Sequence, residues 1–189
     1  MNQPVTIHLM RHGTPALTGR LLGHTDCDVT ADGIAECRAA AGVVGIAGII
    51  SSDLRRAADC ARAIGDDRQL PLWPDPRWRE LDFGAWDGHR ASEVDQGALG
   101  AFWADPDRDP PPGGERWSAL TMRVGAALAE IADGTLVVTH AGAIRAALAV
   151  SCGFARDQLW AFDLPYGCLV SLRLWRGDAP AAQIVALRP

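Results

Sequence analysis

Short apolar runs alternate along this chain with longer stretches of helical periodicity. Val5 to Met10 is an apolar, β-prone run and reads as the first strand. Thr30-Ala31-Asp32-Gly33 looks like a helix start, and Ile34 to Val44 follows as an Ala-rich helix. Gly48-Ile49-Ile50-Ser51 is a short apolar strand. After it, Ser52 or Asp53 can cap a helix running through about Ile64. Leu70 to Trp73 reads as an edge strand, limited by Pro71 and Pro74. Residues 75–114 are the least regular region, with one helical piece around Ala91 to Ala104. The run Pro110-Pro111-Pro112-Gly113-Gly114 breaks any element there. Arg116 to Ala132 is the clearest amphipathic helix, with Leu120, Val124, Leu128 and Ile131 at helical spacing. Thr135 to Thr139 reads as a buried strand, Ala143 to Val150 as a helix, and Leu169 to Trp175 and Gln183 to Leu187 as closing strands. This alternation predicts an α/β protein: a mainly parallel central sheet with helices on both faces, a three-layer α/β/α sandwich.

Length and composition narrow the class. At 189 residues the chain reads as one domain over 1–189. Its 48% apolar content is ordinary for a globular protein. A net charge of −5 argues against a nucleic-acid or anionic-membrane binder. All 18 basic residues are arginine, which excludes a Schiff-base lysine and a P-loop lysine. Cys27, Cys37, Cys60, Cys152 and Cys168 are odd in number and form no C-x-x-C pair, so neither structural disulfides nor a zinc site is expected. Met1-Asn2-Gln3-Pro4 lacks the charged head and apolar core of a signal peptide. No apolar run reaches the ~20 residues of a membrane span. The expected location is the cytoplasm.

The candidate chemistry sits where strands end. Val5–Met10 runs into Arg11-His12-Gly13-Thr14. Arg11 offers a planar fork of donors suited to phosphate. His12 offers a nucleophilic ring nitrogen. Gly13 permits close backbone approach or φ > 0. Strand β-run Leu136-Val137-Val138-Thr139 ends similarly in His140-Ala141-Gly142, where a following helix presents N–H groups to an anion. Between them lie Ser51-Ser52-Asp53-Leu54-Arg55-Arg56-Ala57 and Arg79-Glu80-Leu81-Asp82-Phe83-Gly84. Glu80 is one of only five glutamates and stands beside Leu81, Phe83 and Trp86, an apolar setting that favours a protonated carboxyl. Asp82 is the rival acid. His8 reads as a strand residue facing a neighbour, and His24 and His89 as loop residues.

These four segments, in this order, resemble the signature of the histidine phosphatase family, also called phosphoglycerate mutase-like. The resemblance runs from residue 5 to about 150. It implies the phosphoglycerate mutase-like sandwich and a metal-independent, cofactor-free phosphoric monoester hydrolase of the histidine acid phosphatase type. It further implies that His12 attacks phosphorus while its other ring nitrogen is tied to a backbone carbonyl. By the family's spacing Arg56, not Arg55, joins Arg11 around the phosphoryl group. Glu80 protonates the leaving alkoxide and then activates water, and His140 donates to the phosphoryl oxygens. Gly13, Thr14 and Ala141 line the same place. Cys60 stands where the family often has threonine. Mutases carry an asparagine where this chain has Leu17 and are longer after Gly88, so a phosphatase is favoured. Pro111-Pro112-Gly113-Gly114-Glu115, Arg79 to Gly88 and Val138 to Arg145 resemble α-ribazole phosphatases of cobalamin assembly and related small phosphatases. The expected partner is a small phosphomonoester, with no nucleic acid and no membrane, and the protein itself is expected to be a monomer or homodimer. Mutase-type transfer and an inactive binding or regulatory module remain the alternatives.

Overall fold

The computed structural model describes residues 3–175 and 181–189. Met1 and Asn2, part of the N-terminal stretch read above, lie outside them. Six strands, β1 (Val5–Arg11), β2 (Gly48–Ser51), β3 (Leu72–Pro74), β4 (Thr135–Thr139), β5 (Leu169–Trp175) and β6 (Ala181–Arg188), form one sheet in the order β3-β2-β4-β1-β5-β6. The pairs β1–β4, β2–β4 and β2–β3 are parallel; β1–β5 and β5–β6 are antiparallel. The expectation of a mainly parallel sheet therefore holds for the half that carries the signature segments. The closing strands run the other way for a topological reason. After β4 the chain returns along a helix, then comes back through residues 153–168 to the carboxyl edge. It enters β5 there, with Leu169 opposite Met10, so β5 must run backwards beside β1.

The described residues hold five α-helices: α1 (Ala31–Ala41), α2 (Arg55–Arg68), α3 (Gln96–Ala104), α4 (Trp117–Glu130) and α5 (Ala141–Cys152). Strand alternation sorts the apolar residues between two faces. Ile7, Leu9 and Val137 meet Leu120, Val124, Ile144 and Leu148 of α4 and α5. Met10, Ile49, Leu136 and Val138 meet Cys37, Ala57, Cys60 and Ile64 of α1 and α2. Each Val, Leu, Ile or Met among them, when fully buried, contributes about 1.5–3 kcal/mol relative to exposure. All five cysteines are free thiols. Among the described residues no helix is long and apolar enough to cross a membrane.

Two local expectations need correction. Thr30 does cap α1, accepting from the Gly33 N–H, but neither Ser52 nor Asp53 caps α2. That cap is Leu54, with no side-chain bond. Asp53 instead accepts from Arg79 Nε and Nη2 at 2.7 and 2.6 Å, and Ser52 is turned to His140. Tertiary partners for a carboxylate and a hydroxyl outweigh the local cap, whose loss costs about 1 kcal/mol. The piece expected over Ala91–Ala104 is also broken. A 3-10 turn, Ala91–Glu93, precedes α3, and Asp95 restarts the helix by accepting from the Ala98 N–H.

Candidate active site

The carboxyl ends of β1, β2 and β4 lie side by side, and each delivers part of one buried cluster. The His12 N–H donates to Thr139 O at 2.9 Å, and the Ser52 N–H to Val138 O at 3.0 Å. The ladder thus continues past the strands and holds three loops against one another. His12 is 4% exposed; Arg56, His140 and Ser52 are fully buried. Crevices at the carboxyl ends of such strands are the usual ligand sites of α/β sheets.

His12 has one tautomer that satisfies its neighbours. Arg56 Nε, which can only donate, points at His12 Nε2 over 3.3 Å. Nε2 is then the acceptor, and the proton sits on Nδ1, which donates to Gly13 O at 2.7 Å. Burial, and after it the Arg56 charge, lowers the His12 pKa to about 3. The ring is therefore neutral, with its lone pair on Nε2. His140 lies edge-on to it, ring centroids 5.0 Å apart. Burial, and then Arg56, holds His140 well below the ordinary histidine range. Its Nε2 is 2.9 Å from Ser52 Oγ. That hydroxyl accepts from the Leu54 N–H and, being buried, has Nε2 as its one acceptor among the described residues, so its own proton goes to Nε2. This leaves a proton on His140 Nδ1, which is buried and has no partner among the described residues. An unpartnered donor here is costly in the empty site and useful to a bound anion.

Arg56 is gripped from behind. Its Nη1 donates to Thr25 O at 2.9 Å, and Nη2 to Leu22 O and Gly23 O at 3.0 and 2.7 Å. That loop is fixed in turn by Asp87, whose carboxylate accepts the N–H groups of Gly23, His24 and Thr25. Arg55, by contrast, is exposed and paired with Asp28. Arg11 stacks on Tyr166, 3.9 Å from the ring centroid, and donates from Nη1 to Leu164 O at 2.6 Å. Its Nε is buried and has no partner among the described residues. Gly13 serves close approach and not positive φ: a Cβ there would sit 2.1 Å from Gly33 O. Thr14 lies behind it, accepting from the Thr30 N–H through its carbonyl. Cys60 Sγ accepts from the Gly13 N–H at 3.5 Å, so this position braces the loop that carries His12.

Glu80 approaches from the other side. Its Oε2 accepts from the Gly142 N–H at 3.0 Å and its Oε1 from the Leu81 N–H at 2.9 Å. The carboxyl thus occupies the N-terminus of α5, which was expected to be open to the substrate. Ala141, the first residue of α5, and Gly142 share a pocket wall with Glu80. Neither Arg77 nor Arg79 pairs with it: Arg77 is taken by Asp75 and Glu130, Arg79 by Asp53. The rival Asp82 accepts from the Gly84 N–H at 2.8 Å and faces His24 at 3.4 Å, so it serves its own turn. A Cβ at Gly142 would fall 2.0 Å from Glu80 Oε1. Gly142→Ala should therefore displace Glu80 and lower turnover of alkyl phosphates by about 10²-fold, the order of a lost acid–base contribution. Steady-state kinetics with matched thermal melts tests this; full activity would show that the carboxyl need not stay there.

Several supporting residues escape a reading of the sequence. Arg123, on the exposed-looking face of an amphipathic helix, donates to the carbonyls of Arg77, Arg79 and Glu80 and pairs with Glu115 at 2.8 Å. It fastens the loop that carries Glu80, and the Pro-Gly-Gly-Glu segment supplies its counter-charge. Ser52, Tyr166 and Asp87 likewise act through partners far away in sequence, which no local pattern encodes. His8 bonds Ser171 Oγ at 2.8 Å.

The chain is similar to known proteins over most of its length. The chain is 31% identical over 173 residues to an adenosylcobalamin/alpha-ribazole phosphatase of Escherichia coli (strain K12), covering 85% of each. It is 37% identical over 139 residues to a glucosyl-3-phosphoglycerate phosphatase of Mycolicibacterium vanbaalenii, covering 70% of this chain and 57% of that one. The crystal structure of the alpha-ribazole phosphatase from Shigella flexneri superposes with a TM-score of 0.84 at 25% identity, over 97% of this chain and 96% of that one. The family model of the histidine phosphatase superfamily (branch 1) matches residues 7–185, a span that runs from within β1 through β5 and holds both strand-end histidines and the loop of Glu80. With that span and that arrangement, the chain belongs to the histidine phosphatase superfamily, branch 1.

Proposed function

We propose that this histidine phosphatase hydrolyses a small phosphomonoester through a phosphohistidine on His12, in one domain spanning residues 1–189. The observation that carries the reading is the buried, neutral His12, its Nδ1 tied to Gly13 O and its Nε2 lone pair facing the Arg56 guanidinium. A phosphoryl group that displaces the Arg56 Nε contact from Nε2 meets Arg56, the unpartnered Arg11 Nε and the unpartnered His140 Nδ1. These donors are in place before the reaction, so they stabilise the charge on the non-bridging oxygens without reorganising. Nε2 attacks phosphorus, the P–O bond to the alcohol breaks, and Glu80 delivers its proton to the departing oxygen. Water then attacks the phosphohistidine and loses a proton to Glu80. The P–N bond breaks, phosphate leaves, and His12 is neutral again.

Arginine, histidine and carboxyl groups account for every step. Turnover should therefore be unchanged in chelator, while vanadate, a five-coordinate mimic, should inhibit. Loss of activity in chelator that magnesium restores would overturn the mechanism. The relatives' names support α-ribazole 5′-phosphate as the substrate and offer glucosyl-3-phosphoglycerate as the competitor. A panel of purified phosphomonoesters containing both, with 3-phosphoglycerate added, tests the choice. The highest kcat/KM should fall on α-ribazole 5′-phosphate. Interconversion of phosphoglycerates faster than phosphate release would identify a mutase, and no turnover of any ester would identify a binding module.

A further inference from the structure

Beyond Glu80, away from the histidines, the site opens into a pocket of about 140 Å³. Its walls are Phe83, Phe102, Trp103, Trp117, Leu159 and Trp160, carried by four separate parts of the chain. Two of these rings stand at the rim in water: Trp103 is 43% exposed and Trp160 54%. They meet edge to face, centroids 5.6 Å apart. Large aromatic rings held exposed and in contact beside a buried polar site mark a place for an apolar ligand group. The size is informative: an engineered apolar cavity of ~150 Å³ holds one benzene ring.

The polar groups of the pocket argue for an uncharged occupant. Arg156 spends its donors on the carbonyls of Trp103 and Ala104. Arg145 lies over the Trp160 face, 4.4 Å from the centroid, and donates from Nη2 to Phe162 O. Glu80 at the inner end is already engaged with the N–H groups of Leu81 and Gly142. Arg145 Nε is buried and has no partner among the described residues.

We propose that this pocket binds an uncharged aromatic ring of the leaving alcohol, with Arg145 Nε donating to an acceptor atom on that group. The inference rests on the phosphatase reading for its orientation, phosphoryl group at His12 and leaving group past Glu80. It makes Trp103, Trp160 and Arg145 the residues that set substrate choice, and it defines the substrate class as phosphate monoesters of aryl- or heteroaryl-bearing alcohols.

Binding of non-hydrolysable phosphonates tests it without needing turnover. By calorimetry, 3-phenylpropylphosphonate should bind about tenfold or more tighter than propylphosphonate, the gain expected from burying one ring. Equal affinities would overturn the proposal. 3-Phosphonopropionate should bind no better than propylphosphonate; tighter binding would make Arg145 an anion site and also overturn it. Trp160→Ala and Trp103→Ala each remove a largely exposed ring, and both should reduce the phenyl advantage to about threefold or less. An advantage unchanged in both variants would place the ring elsewhere. Hydrolysis of the matching phosphates separates the two readings. Ring-dependent binding with no turnover would sink the phosphatase reading alone. Turnover with equal kcat/KM for both esters would sink the ring pocket alone.

Discussion

His12→Ala should lose phosphatase activity by about 10⁴-fold or more, the scale seen when a covalent nucleophile is removed. Quenching the wild-type reaction with labelled substrate should leave acid-labile, base-stable label on the peptide that contains His12. The expectation follows from the tautomer. Gly13 O accepts the Nδ1 proton, Arg56 Nε can only donate to Nε2, and burial keeps the ring neutral. Label that persists unchanged in His12→Ala would mean that another group carries the phosphoryl.

The same burial makes a pH prediction for stability. The folded pKa of His12, about 3, lies below the ordinary value of 6.5. The unfolded chain therefore binds this proton more tightly than the folded one. The contribution of His12 to stability is complete above pH 6.5 and is lost as pH falls from there towards 3. His140 and His8 are shifted in the same direction. His12→Gln should therefore flatten the acid side of the stability curve by up to about 1.4 kcal/mol per pH unit, the weight of one proton. Urea unfolding between pH 4 and 6.5 measures it, and an unchanged slope would show His12 to be solvated in the folded protein.

The sheet and the residues of the site differ in how legible they are from sequence. β1, β2 and β4 are written in apolar runs that end in Arg-His-Gly, Ser-Ser and His-Ala-Gly, so both their existence and the cluster at their ends follow from local pattern. The direction of β5 does not, because it depends on where residues 153–168 bring the chain back. Nor does the cap of α2, because Asp53 and Ser52 are claimed by Arg79 and His140, 26 and 88 residues away. Arg123 and Asp87 illustrate the same limit: each holds a loop through backbone carbonyls or N–H groups, and backbone partners leave no signature in side-chain identity. The aromatic pocket was equally hidden. Trp103, Trp117 and Trp160 are scattered in sequence, and only the packing of α3 and α4 against the segment before β5 brings them together.

Glu80→Gln should damage the enzyme in proportion to how poor the leaving group is. An alkyl alkoxide needs a proton as its bond to phosphorus breaks, whereas p-nitrophenolate, a much weaker base, does not. General acid catalysis contributes about 10²–10⁴-fold, so loss on a ribose 5′-phosphate ester should fall in that range. Glutamine keeps the acceptor oxygen that the Gly142 N–H requires and loses only the one that accepts from the Leu81 N–H, so the variant removes proton transfer at nearly constant shape. Phosphoryl transfer from p-nitrophenyl phosphate to His12 should be slowed less. Hydrolysis of the phosphohistidine should still be slow, because the same carboxylate deprotonates water. The intermediate should then accumulate, and p-nitrophenol should appear in a burst of about one equivalent per site, as expected when the second of two covalent steps limits turnover. Asp82→Asn is the control, since Asp82 serves the Gly84 turn and faces His24. If the leaving-group dependence and the burst follow Asp82→Asn while Glu80→Gln behaves as wild type, the acid is Asp82. The carboxyl at the start of α5 would then be only a cap.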